Sequence, residues 1–542
     1  MGRIKCLIFI VMSLSLFCIC CSEEKKAEVV EQQPNIVWFV AEDQSPDFFP
    51  MYGDSTISLP SLESLAQDGV VFTNAYAPVP VCAPTRSAII TGMYPTTLGT
   101  HNMRTYNAYT TENQPEIEIP SYSPIVPQGT KMFTEYLRKA GYYCTNNAKE
   151  DYNFKSLESA WDVSSNDGHW RNRPEDAPFF SVFNYNICHE SGIWKQGANE
   201  LSVSLDAIQV PPYFPNDSII RHDMAVNYSN LARMDAKIGE LIDQLKEDGL
   251  YDNTIIFFYG DHGGPFPRHK RALYETGTKV PMVIKFPENK KEQDYNATFL
   301  NFIDLAPTVL SLVGIQPPKN MQGKALFGKY KNQLTSKYIF TSSDRFDGMV
   351  DRLRAVRSQK YKYIKNFNTS QSNVLAVKYR EQMPMMKHMN EMQAQGTLDT
   401  VQSLWFKTPK PEEELYDLEN DPYELINLAD NEIHKDTLVH LRNVLREWII
   451  ETNDLGRVSE KELINRWLVN GEQPMVSELV LTEKGGLVSL ECPLNDATII
   501  WKRPKDLVWS IYKEPLDTDI EFIAKAVRIG YVDSAILEYT SD

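Results

Sequence analysis

The sequence predicts an α/β fold built on a mainly parallel sheet. Three apolar segments have the length of a strand and the near-continuous apolarity of strands buried on both faces: 35–41, 179–185 and 254–259. A long amphipathic segment, 222–248, has apolar residues at helical spacing and closes at Gly249. Because strands that alternate with helices build parallel sheets, we expect helices packed around one central sheet.

The remaining segments continue this alternation and then change in character. Before residue 338 the patterns predict three further helices and one further strand: helices at 62–68, 129–140 and 299–313, and a strand at 280–286. Beyond it, short alternating segments indicate antiparallel strands: 353–357, 360–365, 498–502 and 522–528. The methionines of a helical insert at 373–406 favour core packing over ligand binding.

These changes predict three folded parts after an N-terminal leader. The expected bounds are a signal peptide at 1–21, a polar tether at 22–33, a large α/β domain at 34–337, a smaller antiparallel-sheet subdomain at 338–470 and an appended small β domain at 474–542. The last segment resembles the small β-sandwich found at the end of many bacterial carbohydrate-active enzymes. A structural lid is the alternative for it.

The leader predicts export. Arg3 and Lys5 precede an apolar run that is too short for a comfortable membrane span. The apolar run ends in cysteines, and the acidic segment after Cys21 resembles the start of a mature bacterial lipoprotein. We therefore expect a lipid anchor at Cys20 or Cys21 and a location in the periplasm or on the outer-membrane surface of a Gram-negative bacterium. Plain secretion is the alternative, and the lipid would be the only contact with a membrane.

Composition excludes some partners and leaves others open. The chain has 542 residues and a formal net charge of −17, so it lacks the clustered positive charge that nucleic acid requires. An anionic small group remains possible, because a local cationic pocket can exist on an acidic protein. The cysteines after the leader are scattered without metal-ligand spacing. Cys144 and Cys188 are expected to be buried free thiols, with a disulfide between them as the alternative.

The most informative segment is 79–95, VPVCAPTRSAIITGMYP. Its C-x-P-x-R core, Cys82 to Arg86, and the residues around it resemble the signature of the type I sulfatases, in the alkaline phosphatase superfamily. The resemblance extends over roughly 34–430, including the E-L-Y-D-L segment at 414–418. It implies an alkaline-phosphatase-like α/β sandwich and hydrolysis of sulfate esters.

The resemblance also implies a modified nucleophile. In that family a maturation enzyme oxidises the cysteine to formylglycine, and the hydrated aldehyde attacks sulfur. Cys82 would be the precursor, and Pro84 and Arg86 would be recognition elements for the maturation enzyme. In the family, the arginine at the Arg86 position also holds the nucleophile and the metal side of the site. A buried structural cysteine ahead of a helix is the alternative for the pentapeptide taken alone.

Two polar pairs follow predicted strands and resemble the metal ligands of the family. Glu42 and Asp43 follow the first strand, and Asp261 and His262 follow the strand at 254–259. Parallel strands present such residues at one edge of the sheet. The resemblance implies one divalent cation bound by these four residues and Cys82. Ca²⁺ is the usual ion in the family. Glu42 stands where the family usually has aspartate, and the softer His262 leaves other divalent ions open.

Cationic and acidic residues for the reaction are expected at three further positions. Lys149 and Lys270 match the lysines that cradle the sulfate, although Asp151 replaces the histidine that usually follows the first of them. His189 matches the histidine beside the leaving oxygen and is the expected general acid, with Lys270 as competitor.

Four residues are candidates for binding the rest of the substrate: His101, Arg104, Asp151 and Arg345. An exported protein with an appended β domain favours a sulfated polysaccharide or oligosaccharide as substrate. Two alternatives stay open: a phosphonate or phosphate monoester hydrolase of the same superfamily, and an inactive glycan-binding homologue. The departures at Glu42 and Asp151 are the best support for the second.

Overall fold

The computed structural model describes residues 33–106, 119–287, 298–334 and 336–541. The expected signal peptide and all but the last residue of the expected tether lie outside the described residues, as do Cys20 and Cys21, so export and lipid anchoring stay predictions. Among the described residues, none of the helices combines the length and apolarity needed to cross a membrane.

Strands and helices alternate along the first half of the described chain. In chain order the strands are β1 Asn35–Ala41, β2 Val70–Val71, β3 Ala75–Tyr76, β4 Tyr143–Asn147, β5 Val163–Ser164, β6 Phe179–Tyr185, β7 Thr254–Gly260, β8 Lys279–Val280, β9 Met282–Lys285, β10 Leu300–Asn301, β11 Ile339–Phe346, β12 Met349–Arg357, β13 Tyr361–Asn366, β14 Glu413–Asp417, β15 Val480–Lys484, β16 Leu487–Glu491, β17 Thr498–Lys502, β18 Ser510–Ile511, β19 Leu516–Asp517, β20 Phe522–Val527 and β21 Leu537–Tyr539. The helices are α1 Pro60–Asp68, α2 Cys82–Thr91, α3 Pro95–Leu98, α4 Phe133–Lys139, α5 Ser191–Lys195, α6 Ser218–Glu247, α7 Glu275–Thr278, α8 Leu305–Leu312, α9 Pro384–Gln395, α10 Lys435–Glu451 and α11 Glu460–Trp467.

The central sheet has seven strands in the order β2-β9-β7-β1-β6-β4-β5. Strands β7, β1, β6, β4 and β5 are parallel, whereas β9 pairs antiparallel with β7, and β2 pairs antiparallel with β9. Every residue of β1 and β7 is buried, as expected for strands covered on both faces. The mainly parallel sheet predicted from the apolar segments is therefore confirmed.

The long helix α6 covers one face of this sheet and begins four residues earlier than its apolar pattern indicates. Asp217 caps it by accepting hydrogen bonds from the backbone N–H groups of Ile219 and Ile220. A capping aspartate satisfies N–H groups that the first helical turn leaves unpaired. Gly249, with φ 67°, follows the helix in the left-handed conformation that glycine adopts most readily.

Two predicted elements are divided in the structure. The expected strand at 280–286 is split into β8 and β9 around Pro281, which cannot donate a ladder hydrogen bond. The expected helix at 299–313 begins as the short strand β10 and a 3₁₀ turn, and only its second half is α8. In both cases the apolar pattern marks burial correctly but not the conformation.

The C-terminal part contains the expected antiparallel sheets. Strands β11 to β14 form one sheet in chain order, and α10 packs on it through a shared apolar cluster. Two smaller antiparallel sheets, β15-β16-β19 and β18-β17-β20-β21, enclose an apolar cluster of their own.

These C-terminal sheets also contact the N-terminal part. Ile500 and Val527 belong to the same buried cluster as the central sheet, and Arg138 of α4 donates to the Trp509 carbonyl at 2.6 Å. The described residues from 34 onward form one compact unit. The predicted domain boundaries are therefore not marked by a break in packing and stay predictions. Cys144 and Cys188 are free and buried, as expected, and form no disulfide.

Candidate active site

The candidate site lies at the carboxyl edge of the parallel strands. Strand β1 is paired with β7 and β6 so that Ala41 lies opposite Gly260 and Tyr185. The residues that follow these three strands therefore emerge side by side: Glu42 and Asp43, Asp261 and His262, and the turn that leads to His189. This edge is where open α/β sheets place their ligands.

Cys82 is the first residue of α2 and is fully buried. Its Sγ lies 3.3 Å from His262 Nε2, 3.7 Å from Lys270 Nζ and 3.8 Å from Asp43 Oδ1. Burial raises the pKa of the thiol, but the charges of Lys270 and Lys149 outweigh it and lower the pKa to about 7. The structure thus places this side chain at the centre of the predicted constellation.

Four of the five predicted metal ligands form one cluster. One ligand atom from each of Asp43, Cys82, Asp261 and His262 lies within 4.8 Å of the others, and all four residues are buried. His262 Nδ1 is 3.0 Å from the Gly263 carbonyl, so it carries the proton that it donates there. That hydrogen bond leaves Nε2 free to bind a cation, and Nε2 is the nitrogen directed at Asp43 Oδ1, 3.0 Å away. The donor set fits one divalent cation.

Glu42 is the departure from the predicted ligand set, because its carboxylate faces cationic groups rather than the cluster. Its Oε1 lies 2.5 Å from Lys149 Nζ and 3.2 Å from an Arg86 nitrogen. With its side-chain amide oriented so that both the oxygen and the nitrogen have hydrogen-bond partners, Asn186 donates to the Glu42 carboxylate. The Glu42 carboxylate therefore pairs with Lys149 and Arg86, and its role as a metal ligand stays a prediction.

Arg86 links Asn184, Glu42 and Asp261 across the site. Its guanidinium donates to Asn184 Oδ1 at 2.7 Å, to Glu42 Oε1 at 3.2 Å and to Asp261 Oδ2 at 3.1 Å. These charge-assisted bonds orient Asp261 toward the cation cluster. The predicted role of Arg86 in supporting the metal side is consistent with this position.

Lys270 lies between the nucleophile and the acid candidate. Its Nζ donates to Asp43 at 2.7 Å and contacts Cys82 Sγ, and it is 3.1 Å from His189 Nε2. Burial lowers the pKa of this ammonium, but the carboxylate of Asp43 and the Cys82 thiolate outweigh it and hold the pKa well above its usual range. Lys270 therefore carries a fixed positive charge where an anionic group would sit.

Two glycines bring the loop of Lys270 against the loop of Asp261. A Cβ atom at Gly263 would lie 2.1 Å from the Thr276 carbonyl oxygen, and one at Gly277 would lie 2.1 Å from the Ala272 carbonyl oxygen. The Gly263 N–H donates to the Gly277 carbonyl at 2.9 Å. Only glycine permits this close approach, which explains both glycine positions in the motifs.

Comparison with known proteins identifies the family. The family model described as "Sulfatase" matches residues 34–175 and 169–315, and the one described as "N-sulphoglucosamine sulphohydrolase, C-terminal" matches 260–404. A curated protein, an "Ulvan-active sulfatase" of Formosa agariphila, is 38% identical over 592 residues, covering 99% of this chain and 98% of that protein. The chain belongs to the sulfatase family. This sulfatase is therefore a sulfuric ester hydrolase, and its family generally uses a formylglycine and a divalent metal.

Solved structures share the fold of this sulfatase. A protein in complex with its substrate D-glucosamine-2-N,6-O-disulfate has a TM-score of 0.55 at 17% identity, covering 79% of this chain and 100% of that one. A phosphonate monoester hydrolase of Agrobacterium radiobacter has a TM-score of 0.51 at 15% identity, covering 79% and 98%. The predicted alkaline-phosphatase-like sandwich is confirmed. Because hydrolases of both ester types share it, the fold alone does not determine the ester.

Sequence patterns missed three charged residues that support the sulfatase site. Arg271 donates to both carboxylate oxygens of Glu190, at 2.9 and 2.8 Å, and to Asp347 Oδ2 at 2.8 Å. Glu190 is 3.2 Å from Lys270 Nζ, and its backbone N–H donates to Asp43 Oδ2 at 2.7 Å. Glu190 and Arg271 directly follow His189 and Lys270 in the sequence, and that adjacency was the available signal. No comparable signal marks Asp347.

Of the four predicted substrate-binding residues, two lie near the site, Arg104 and Asp151, whereas His101 and Arg345 are almost fully buried. Burial raises the pKa of the Asp151 carboxyl, but the charges of Arg104 and Lys149 outweigh it and lower the pKa. His101 is only 2% exposed. Arg345 is 3% exposed and donates to both Glu460 oxygens and to the Met103 and Asp347 carbonyls. Its donors are committed to protein groups, which indicates a structural role for Arg345 in place of the expected contact with substrate.

The methionine-rich insert reaches the sulfatase site. The ring of Tyr379 lies 6.1 Å from that of His189 and 5.2 Å from that of Trp194. Four methionines of the insert, Met383, Met385, Met386 and Met389, are buried in one apolar cluster. The expectation that the methionines fill the core is confirmed for these four.

Proposed function

We propose that this sulfatase acts on a sulfated polysaccharide, with Cys82 oxidised to formylglycine and one divalent cation bound by Asp43, Asp261 and His262. The observation that carries the proposal is the convergence of Cys82 Sγ, the cation-binding cluster and Lys270 within hydrogen-bonding range of one another. The names of the relatives support the substrate class, since one is active on ulvan and another binds a sulfated glucosamine.

Cys82 has the position that the proposed nucleophile requires. It begins α2, where the helix N-terminus and two lysines favour negative charge on its side chain. Formylglycine would supply, once hydrated, one hydroxyl to attack sulfur and a second whose deprotonation expels sulfate. The side chains around it need only orient these oxygens and balance charge.

The cation would be held by two carboxylates and an imidazole nitrogen, with the residue-82 side chain beside them. It would supply positive charge to a sulfate oxygen. Ca²⁺ is the ion expected from the family. An imidazole nitrogen such as that of His262 binds softer divalent ions better than an oxygen ligand does, so Mn²⁺ and Zn²⁺ are the alternatives to test.

Lys270 and Lys149 complete the cationic cradle. Lys270 is held by Asp43 and Glu190 so that its charge cannot move away from Cys82. Lys149 is held by Glu42, and its side chain is 16% exposed, which leaves it open to an incoming sulfate. Fixed cations of this kind stabilise the charge that develops in the transition state without reorganisation.

His189 is the proposed general acid. Its Nδ1 lies 3.0 Å from the Ser191 hydroxyl, and its Nε2 faces the site beside Lys270. The ring is held through Nδ1 and presents Nε2, 3.1 Å from Lys270 Nζ, to the departing alcohol. A sugar alkoxide is a poor leaving group and depends on such a proton.

Replacing His189 by glutamine is expected to discriminate between leaving groups. Hydrolysis of a sulfated sugar should fall about 10²- to 10³-fold, because the sugar oxygen leaves unprotonated. Hydrolysis of 4-nitrophenyl sulfate should fall far less, since nitrophenolate leaves without a proton. The matched control is His222→Gln on α6, where both activities should remain. Equal losses on both substrates would contradict the assignment.

Parallel assays with a sulfate and a phosphate aryl ester test the reaction class. We expect a higher kcat/KM for the sulfate, because the chain belongs to the sulfatase family. A large preference for the phosphate would favour the phosphohydrolase alternative. Binding of sulfated glycan by matured protein without turnover of either ester would favour the inactive homologue.

A further inference from the structure

A second surface of the protein combines positive charge with apolar contact. A groove of about 520 Å³ lies between the sheet of β12 to β14 and helix α10, and it shares no lining residue with the site described above. Its lining includes the cations Arg352, Lys365, Arg442 and Arg446 and the apolar side chains of Phe367, Leu445 and Ile449, together with Tyr363, Glu412 and Glu413. The protein as a whole carries a net charge of −17, so such a groove is unlike the average surface.

Two of the four cations in the groove are already neutralised. Lys365 pairs with Glu412, and Arg442 binds both oxygens of Glu413 at 2.7 Å. The other two, Arg352 and Arg446, form no ion pair with any residue that the structure describes. The groove therefore keeps two uncompensated positive charges, which favours an anionic ligand.

The position of Arg352 is fixed by packing. Its guanidinium lies over the Phe367 ring, 4.0 Å from the ring centre, and its Nε has no hydrogen-bond partner among the described residues. Phe367 is nonetheless 42% exposed. An unpaired arginine beside an exposed aromatic ring fits a sulfated sugar, whose sulfate pairs with the guanidinium and whose apolar ring face contacts the aromatic side chain.

The groove is connected to the active site through one hairpin. Asp347, which binds Arg271 near the candidate nucleophile, lies at the turn between β11 and β12, and Arg352 lies five residues further along the same hairpin. At about 3.3 Å per extended residue, the two positions are separated by at most roughly 17 Å of chain. A polymer bound at one place is long enough to reach the other, whereas a single sugar is not.

We propose that this groove is a secondary binding site for the sulfated polysaccharide, which holds the chain through its sulfate groups while another part is at the active site. The proposal rests on the proposed function for the identity of its ligand. It concerns binding and not the chemical step, so the turnover of small substrates should not depend on the groove.

The test is a binding titration with dextran sulfate, with unsulfated dextran as the negative ligand. The double variant Arg352→Gln/Arg446→Gln should bind dextran sulfate about 3- to 10-fold more weakly than the unaltered protein, and added salt should reduce the difference. The control Arg503→Gln/Lys505→Gln removes the same charge from exposed positions in the loop that follows β17. It should bind as the unaltered protein does. Equal binding by the two double variants would overturn the proposal.

Two further measurements separate this proposal from the proposed function. Turnover of 4-nitrophenyl sulfate should be the same for both double variants, and its absence from every matured protein would count against the proposed reaction and not against the groove. Arg446 is exposed, so Arg446→Gln alone provides a variant that does not disturb packing. It should weaken dextran sulfate binding in the same direction, with an unchanged Tm, and unchanged binding would overturn the role of this residue.

Discussion

Replacement of Cys82 by alanine is expected to reduce turnover of a sulfate ester on the order of 10⁴-fold or more, because it removes the atom from which the nucleophile is made. The substitution deletes a buried sulfur that no disulfide uses, so the fold should persist. Turnover of 4-nitrophenyl sulfate by protein produced with a formylglycine-generating enzyme measures the effect. The matched control, Cys492→Ser at a half-buried position in the C-terminal sheets, should retain activity.

Serine at position 82 provides a sharper form of the same test. A serine hydroxyl can accept a sulfate group but has no second hydroxyl with which to expel it, so we expect sulfated protein to accumulate without repeated turnover. Mass spectrometry of Cys82→Ser after incubation with substrate detects the added sulfate. The same method should find formylglycine at position 82 of the matured protein. Full activity in protein with an unmodified Cys82 thiol would contradict the mechanism.

Removal of divalent cations is expected to have the second largest effect, a loss of about 10²- to 10³-fold, because the charge opposite the sulfate oxygens disappears. Chelation followed by addition of Ca²⁺, Mn²⁺ or Zn²⁺ measures both the loss and the preferred ion. Recovery after chelation without any divalent ion would refute the cation site.

The variant Asp261→Asn locates this effect in the cluster. It retains the shape of the side chain but removes a charge that faces His262 and Arg86. We expect a similar loss of activity and no recovery at cation concentrations that saturate the unaltered protein. The control Asp533→Asn removes a carboxylate from an ion pair with Lys525 in the C-terminal sheets. It should bind cation and turn over substrate normally.

The sequence predicted most of the site because its residues follow recognisable strands. Apolar runs located β1, β6 and β7, and parallel strands present the residues after their carboxyl ends at one edge. Asp43, His189, Asp261 and His262 are together for that reason. The motif around Cys82 and the lysines needed a second kind of information, the resemblance to a family, because a helix start or a lone lysine has no chemical signature of its own.

Glu42 shows what the sequence does not predict. Its position at the end of β1 beside Asp43 was predicted correctly, but the direction of its carboxylate was not. The carboxylate pairs with Arg86 of α2 and with Lys149, which follows β4. Side-chain direction depends on which donors neighbouring elements supply, and these two donors are 44 and 107 residues away in the chain.

Taken by itself, the sequence determined the α/β class, the family and the set of residues at the edge of the sheet, because periodicity and short motifs are local. The tertiary structure alone decided which charges pair. It joined Arg271 to both Asp347 and Glu190, it paired Arg345 with Glu460, and among the described residues it left Arg352 and Arg446 without an ion pair in one groove. The physical reason is that an ion pair requires two side chains within about 4 Å, and only the packing of distant elements sets that distance.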